Sequence, residues 1–145
     1  MLARLDWLAL EVKYVEPARS FYTGHLGLPV ASESSGETAL AVGETELRLR
    51  APGPVPRGGL HTHFALSTPP EEYGTWWRTL DGTFDLVEHD FGEFRSLYLY
   101  DPDGNCVEIG QREGVGSGLT SVFEVALEVE SLDRAEAFYR ALDGA

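Results

Sequence analysis

The chain repeats itself. At an offset of 117 residues, Ala9-Leu10-Glu11-Val12 recurs as Ala126-Leu127-Glu128-Val129, and Ala18, Phe21-Tyr22 and Gly27 recur as Ala135, Phe138-Tyr139 and Gly144. A weaker echo at an offset of 56 sets Ala9-Leu10 on Ala65-Leu66. A repeat of this length means one supersecondary unit used several times. Such a unit cannot bury its apolar face alone, so its copies must pack on one another.

The pattern within each copy says what the unit is. Leu5 to Val12 has the apolar character of a mostly buried strand. Pro17 then fits a helical first turn, and Ala18, Phe21, Tyr22 and Leu26 follow at helical spacing until Gly27 and Pro29 stop the helix. Three short strands are predicted next, Pro29–Ser34, Thr38–Val42 and Glu46–Arg50. The segment Ala51–Gly59, with three prolines and three glycines, is a linker. The order then restarts with a strand over Leu60–Ser67, a helix opened by Pro69 and Pro70 and running to Leu80, and strands over Phe84–His89, Phe94–Tyr100 and Cys106–Gln111. Asp101-Pro102-Asp103-Gly104 marks a tight turn. After a Gly-rich break at Gly114–Gly118, a strand over Val122–Val129 and a helix over Leu132–Leu142 start a third copy. The expected organisation is therefore α+β: a first unit over 1–56, a second over 57–113, and the strand and helix of a third over 117–145.

Charge narrows the function classes. Asp and Glu number 24 against 11 Lys and Arg, a net charge of −13 over 145 residues. A chain this acidic repels phosphate backbones and anionic lipid surfaces, so neither nucleic acid nor membrane is an expected partner. No apolar run reaches the roughly 18 residues that span a bilayer, and Asp6 and Glu11 interrupt the N-terminal segment, so no secretory signal is read and a cytoplasmic protein is expected. Cys106 is the only cysteine, which excludes an intrachain disulfide and a cysteine-based zinc cluster. Ten of the 11 cations are Arg and only Lys13 is Lys. A carboxylate-rich, Lys-poor surface points to a halophilic cytoplasm, where salt screens self-repulsion.

The units resemble the βαβββ modules of the vicinal oxygen chelate superfamily, the glyoxalase/bleomycin resistance/dioxygenase family. LALEV…FYTGHLGL carries the resemblance in the first unit, HFAL…YLYDPDGNCVEI in the second, and VALEV…AFYRALDG restates the opening in the third. The resemblance implies paired modules whose curved mixed sheets form a cup. It also implies metal ligands on the first and last strands of a module. By position these are His63 and Glu108 in the second unit, a pair suited to Fe, Mn, Ni or Zn. The equivalent positions of the first unit are Trp7 and Arg48, neither of which is a ligand. A third ligand is open between His61, on the same strand face as His63, Glu124, at the first-strand position of the third unit, and water. Tyr98, ten residues before Glu108, matches the acid–base tyrosine of the family's extradiol dioxygenases. Its other reading is an ordinary strand aromatic. Trp7 and Arg48 are candidates for substrate binding, the indole facing the cup. His25 and His89 read as surface residues, and Tyr73, Trp76 and Trp77 as core and interface aromatics.

Three functions stay open: a divalent-metal enzyme, a lyase or extradiol-type dioxygenase, working on a small molecule in the cup; a metal-free binding protein of the bleomycin-resistance type; and the noncatalytic N-terminal half of a longer four-module dioxygenase. A third unit that cannot bury both faces alone is expected to dock on a sheet edge of its own chain or a partner and to promote a homodimer.

Overall fold

The structure, a computed structural model, describes residues 4–54 and 62–143. Its first unit contains β1 (Trp7–Glu11), α1 (Val15–Gly24), β2 (Val30–Ser34), β3 (Glu37–Val42) and β4 (Thr45–Arg50). The second contains β5 (His63–Thr68), α2 (Pro70–Leu80), β6 (Val87–Asp90), β7 (Arg95–Tyr100) and β8 (Cys106–Gln111). The third adds β9 (Ser121–Ala126) and α3 (Leu132–Asp143).

The two complete units share one topology. Sheet 1 runs β1-β4-β3-β2 with β1 parallel to β4, and sheet 2 runs β6-β7-β8-β5 with β5 parallel to β8. Sheet 2 then gains a fifth strand, because β9 pairs antiparallel with the outer edge of β5, Ala65 opposite Glu124. The third unit's strand thus docks within its own chain. A register slip between Ala65 and Leu66 leaves Phe123 as an extra residue on β9.

One core joins the units. Leu10, Tyr22, Leu40, Leu47 and Leu49 of the first are fully buried together with Phe64, Leu66, Leu97, Val107 and Ile109 of the second. Each such side chain contributes about 2 kcal/mol by leaving water. The α1 helix presents Phe21 and Tyr22 to the second unit, where the Phe21 ring meets Phe84 edge-on at 5.5 Å and Tyr22 lies 6.5 Å from Phe64.

The turn after β7 locks this interface. Asp101 accepts the Tyr22 hydroxyl at 2.7 Å, the Asn105 side-chain amide at 2.8 Å, and the backbone N–H groups of Asp103 and Asn105. Asp103 in turn accepts the Lys13 backbone N–H at 2.6 Å. Burial first, then the Asp101 charge and hydrogen bond, hold the Tyr22 phenol well above its usual range, so it remains a donor.

Several expected strands differ in extent: β1 begins at Trp7 and not Leu5, and β5 begins at His63, with Leu60 and His61 of the expected strand outside the described residues. Phe84 pairs only as a bridge with Asp81, and with Leu86 it packs against the core, so β6 starts at Val87. The last strand ends at Ala126, where its partner β5 begins at His63. Tyr73 is buried and Trp76 and Trp77 pack on the core, as expected. The described side chains of α3 contribute nothing to the buried core, and Leu132, Phe138, Tyr139 and Leu142 are exposed. Among the described residues no helix is long and apolar enough to cross a membrane.

Candidate metal centre

Side chains alternate across a strand, so each sheet has one face toward its helix and one face away. Val107 and Ile109 of β8 point into the core. Glu108, between them, therefore lies on the face away from α2, and the same count by twos puts His63 of β5 and Tyr98 of β7 on that face.

The geometry there is specific. His63 Nε2 lies 3.0 Å from Glu108 Oε2. Glu124 of β9 brings a carboxylate to the same place, and ligand atoms of the three residues all lie within 4.8 Å of one another. Glu108 is only 4% exposed, His63 is partly buried and Glu124 is exposed. A buried carboxylate is costly unless it is paired, and a second carboxylate this close adds repulsion. A cation between them would relieve both. Bonds of about 2.0–2.2 Å around one ion set its ligand atoms roughly 3–4.4 Å apart, so one imidazole and two carboxylates at this spacing fit a first-row divalent ion with small side-chain adjustments. His61, the alternative third ligand, lies outside the described residues.

Tyr98 stands directly opposite Glu108 in the β7–β8 ladder. Burial, then the charge and hydrogen bonding of Glu108, with a smaller push from Glu124, raise its phenol to about 12. It is thus a protonated donor across the physiological range. Its ring lies 5.8 Å from that of His63, and His89 of β6 meets it edge-on at 5.2 Å. His89 is exposed, as the sequence implies, but it belongs to this face. Cys106 is buried, and burial and Glu108 raise its thiol pKa, so no thiolate nucleophile is on offer.

The first unit's equivalents do something else. Trp7 and Arg48 lie on sheet 1, a different sheet from His63, Glu108, Tyr98 and Glu124. The Arg48 and Arg50 guanidinium groups sit 5.2 Å and 5.1 Å from the Trp7 ring centre. Arg48 pairs with Glu46 at 2.7 Å and Arg50 with Glu37. Trp7 is 45% exposed, on the face away from α1.

Sequence reasoning did not place Ser96, Gly110, Phe91, Phe94 or Phe123 here. Ser96 and Gly110 form the next cross-strand pair after Tyr98 and Glu108, and a Cβ on Gly110 would come within 2.8 Å of Ser96 Oγ and 2.9 Å of the Phe123 ring. Counting by twos from Tyr98 and Glu108 identifies the first two.

The sequence profile of the Glyoxalase/Bleomycin resistance protein/Dioxygenase superfamily matches residues 4–109. The chain belongs to this superfamily. Within the superfamily setting, a virulence protein of Salmonella typhimurium is 29% identical over 126 residues, covering 77% of this chain and 85% of its own length. A lactoylglutathione lyase structure from Agrobacterium tumefaciens superposes with a TM-score of 0.65 at 24% identity, over 76% of this chain and 94% of that one. A Bacillus subtilis protein provisionally assigned as a dioxygenase reaches a TM-score of 0.77 at 16% identity, over 95% of this chain and 54% of that one. These likenesses establish the glyoxalase-like α+β fold. The superfamily's use of divalent metals and small molecules agrees with the His-Glu-Glu group.

Proposed function

We propose that the protein holds a divalent first-row metal through His63, Glu108 and Glu124 and acts, as a glyoxalase- or dioxygenase-type enzyme, on a small molecule bound at the same face of sheet 2. One observation carries this reading: donor atoms from three adjacent strands, β8, β5 and β9, converge to within 4.8 Å. Such an ion, when bound, supplies Lewis acidity to substrate oxygens. The chain's own residues do the rest. Glu108, buried, and His63 are positioned by paired strands with little freedom to move. Tyr98 carries its proton at the phenol oxygen beside Glu108, placed to donate it or a hydrogen bond to an oxygen of the bound molecule. Trp7 and Arg48, engaged in their own stack on sheet 1, are left outside this assignment.

The test is calorimetric titration of the metal-free protein with Mn(II) and Zn(II). The expected result is one site per chain, lost in His63→Ala and Glu108→Ala and weakened in Glu124→Ala. Binding that survives all three substitutions overturns the reading. Absence of binding to the wild type favours the second reading, a metal-free binding protein in which His63 and Glu108 are a hydrogen-bonded pair, for which the 3.0 Å contact speaks. The Bacillus subtilis likeness takes in the third unit and little more than half of that protein, which supports the further proposal that these units work within a four-unit assembly.

A further inference from the structure

The face that carries His63, Glu108 and Tyr98 continues along the same strands in rows. Tyr98 opposes Glu108, Ser96 opposes Gly110, and the next pair in that progression is Phe94 and Arg112. On β6 the same count runs Val87, His89, Phe91, and the Phe91 N–H bonds to the Phe94 carbonyl just past the ladder's end. The Arg112 backbone stays in line because its N–H bonds to the Thr68 carbonyl, continuing the β5–β8 pairing.

Arg112 is unusual in this chain. Its guanidinium carbon lies 4.0 Å from the Phe94 ring centre and 4.4 Å from that of Phe123, so one ring just ahead of β7 and one on β9 engage it. Phe94 is itself stacked on Phe91 at 4.9 Å. Among the described arginines only Arg78 and Arg112 touch no carboxylate, and Arg78 donates to Thr75. The Arg112 side chain has no hydrogen-bond acceptor among the described residues, in a protein with 24 acidic side chains to 11 basic ones. Ring contacts satisfy the faces of a guanidinium. They leave its in-plane N–H fork, the part that matches a carboxylate.

Resting on the functional reading above, we propose that Arg112 is the carboxylate anchor of the substrate site, and that the substrate is a small organic acid with a flat apolar body. Arg112 and Glu108 are four residues apart on one strand face, about 13 Å at roughly 3.3 Å per residue. Between them Ser96 and Gly110 are buried, with the Phe123 ring lying over Gly110, and His89, Phe91 and Phe94 follow on the β6 and β7 side. A flat molecule resting on the partly exposed Phe123 ring presents its far end to Tyr98 and the ligand group while Arg112 holds its carboxylate. Arg112 is a specificity-determining residue, not a metal ligand.

The experiment uses benzoate and its neutral analogue benzamide as probes, with binding followed by calorimetry on the wild type, Arg112→Gln, Arg112→Lys and the control Arg78→Gln. Benzoate should bind more tightly than benzamide. Arg112→Gln should weaken benzoate at least tenfold and leave benzamide unchanged, Arg112→Lys should fall between, and Arg78→Gln should match the wild type. With Mn(II) added, the benzoate NMR lines should broaden in the wild type and not in Arg112→Gln, while the Mn(II) titration itself is the same in both. No saturable benzoate binding to the wild type, or equal benzoate affinity in the wild type and Arg112→Gln, overturns the proposal. If Mn(II) does not bind but benzoate affinity still depends on Arg112, the anchor stands and the metal reading fails.

Discussion

The first and third units open on the same residues and end in opposite environments. In α1, Phe21 is 5% exposed and Tyr22 fully buried; their repeats in α3, Phe138 and Tyr139, are 59% and 45% exposed. The helices share the apolar pair, so helix-forming tendency is not the difference. The first unit has β1, β3 and β4 to cover one side of α1, through Leu10, Leu40, Leu47 and Leu49, and the second unit's Phe64, Phe84 and Asp101 to cover the other. The third unit has only β9, whose partner is β5 of the second unit. The repeated motif therefore specifies a helix with a sticky face, and neighbours decide what that face is worth. The first strands show the same lesson in chemistry: Trp7, His63 and Glu124 occupy equivalent positions, and only the two on sheet 2 bring donor atoms close to each other.

The sharpest break of this comparison is a pair of matched truncations. Phe21→Ala removes a buried ring and should cost about 3–5 kcal/mol, whereas Phe138→Ala should stay within about 0.5 kcal/mol, as exposed substitutions do. Chemical denaturation of both variants measures the difference. Equal costs would show that α3 is covered in solution, as it would be in a dimer or a four-unit assembly.

Much of this was legible beforehand, for identifiable reasons. Periodicity and Pro/Gly punctuation located the helices and most strands, because those signals are local. The offset of 117 placed Glu124 at a first-strand ligand position, and the structure sets it beside His63 and Glu108. The antiparallel seat of β9 on β5 was open, since strand order depends on contacts some 60 residues apart in the chain. The role of Asp101 was hidden inside a turn signal: Asp-Pro-Asp-Gly announces a bend, not that its first carboxylate will receive Tyr22 from another unit. Arg112 was missed because it lies one residue past the end of β8, where alternation is no longer counted.

The second prediction sharpens the strand comparison. His63→Ala or Glu108→Ala should reduce Mn(II) affinity by about a hundredfold or more, since each removes a directly bonded group and outer partners alone are worth 10–100-fold. Trp7→Ala and Arg48→Ala, at the equivalent places on sheet 1, should leave it unchanged. Calorimetric titration of the four variants checks the asymmetry.

The Tyr22–Asp101 lock offers a pH test, with Tyr139, whose hydroxyl has no hydrogen bond among the described residues, as its counterpart. Tyr22 has a folded-state pKa raised above its unfolded value. Its contribution is fully present below about pH 10, the phenol's ordinary range, and is lost as pH rises beyond that toward the folded value, because the unfolded chain ionises first. Tyr22→Phe should cost about 1 kcal/mol at neutral pH, the net worth of one hydrogen bond, and flatten the alkaline decline in stability. Tyr139→Phe should do neither. Melting curves from pH 7 to pH 11 measure both effects.

The smallest expected effect concerns the whole surface. With 24 acidic and 11 basic side chains, repulsion outweighs attraction on average. The ion pairs at the surface, such as Arg134–Glu130 across the start of α3 and Arg140–Glu136 on it, are exposed and worth about 0.3–0.5 kcal/mol each. Salt weakens those pairs, but it also screens a net charge of −13 that acts between every unit of the molecule. Raising KCl from 0.1 M to 1 M shortens the screening length from about 10 Å to about 3 Å, shorter than the spacing of most surface charges. Repulsion spread over many distant pairs is then removed more completely than attraction concentrated in a few close ones. The melting temperature should rise by a few degrees over this range, the shift expected of about 1 kcal/mol in a chain this size. A melting series in KCl that stays flat or falls would remove the halophilic reading and show that local pairing already balances the surface.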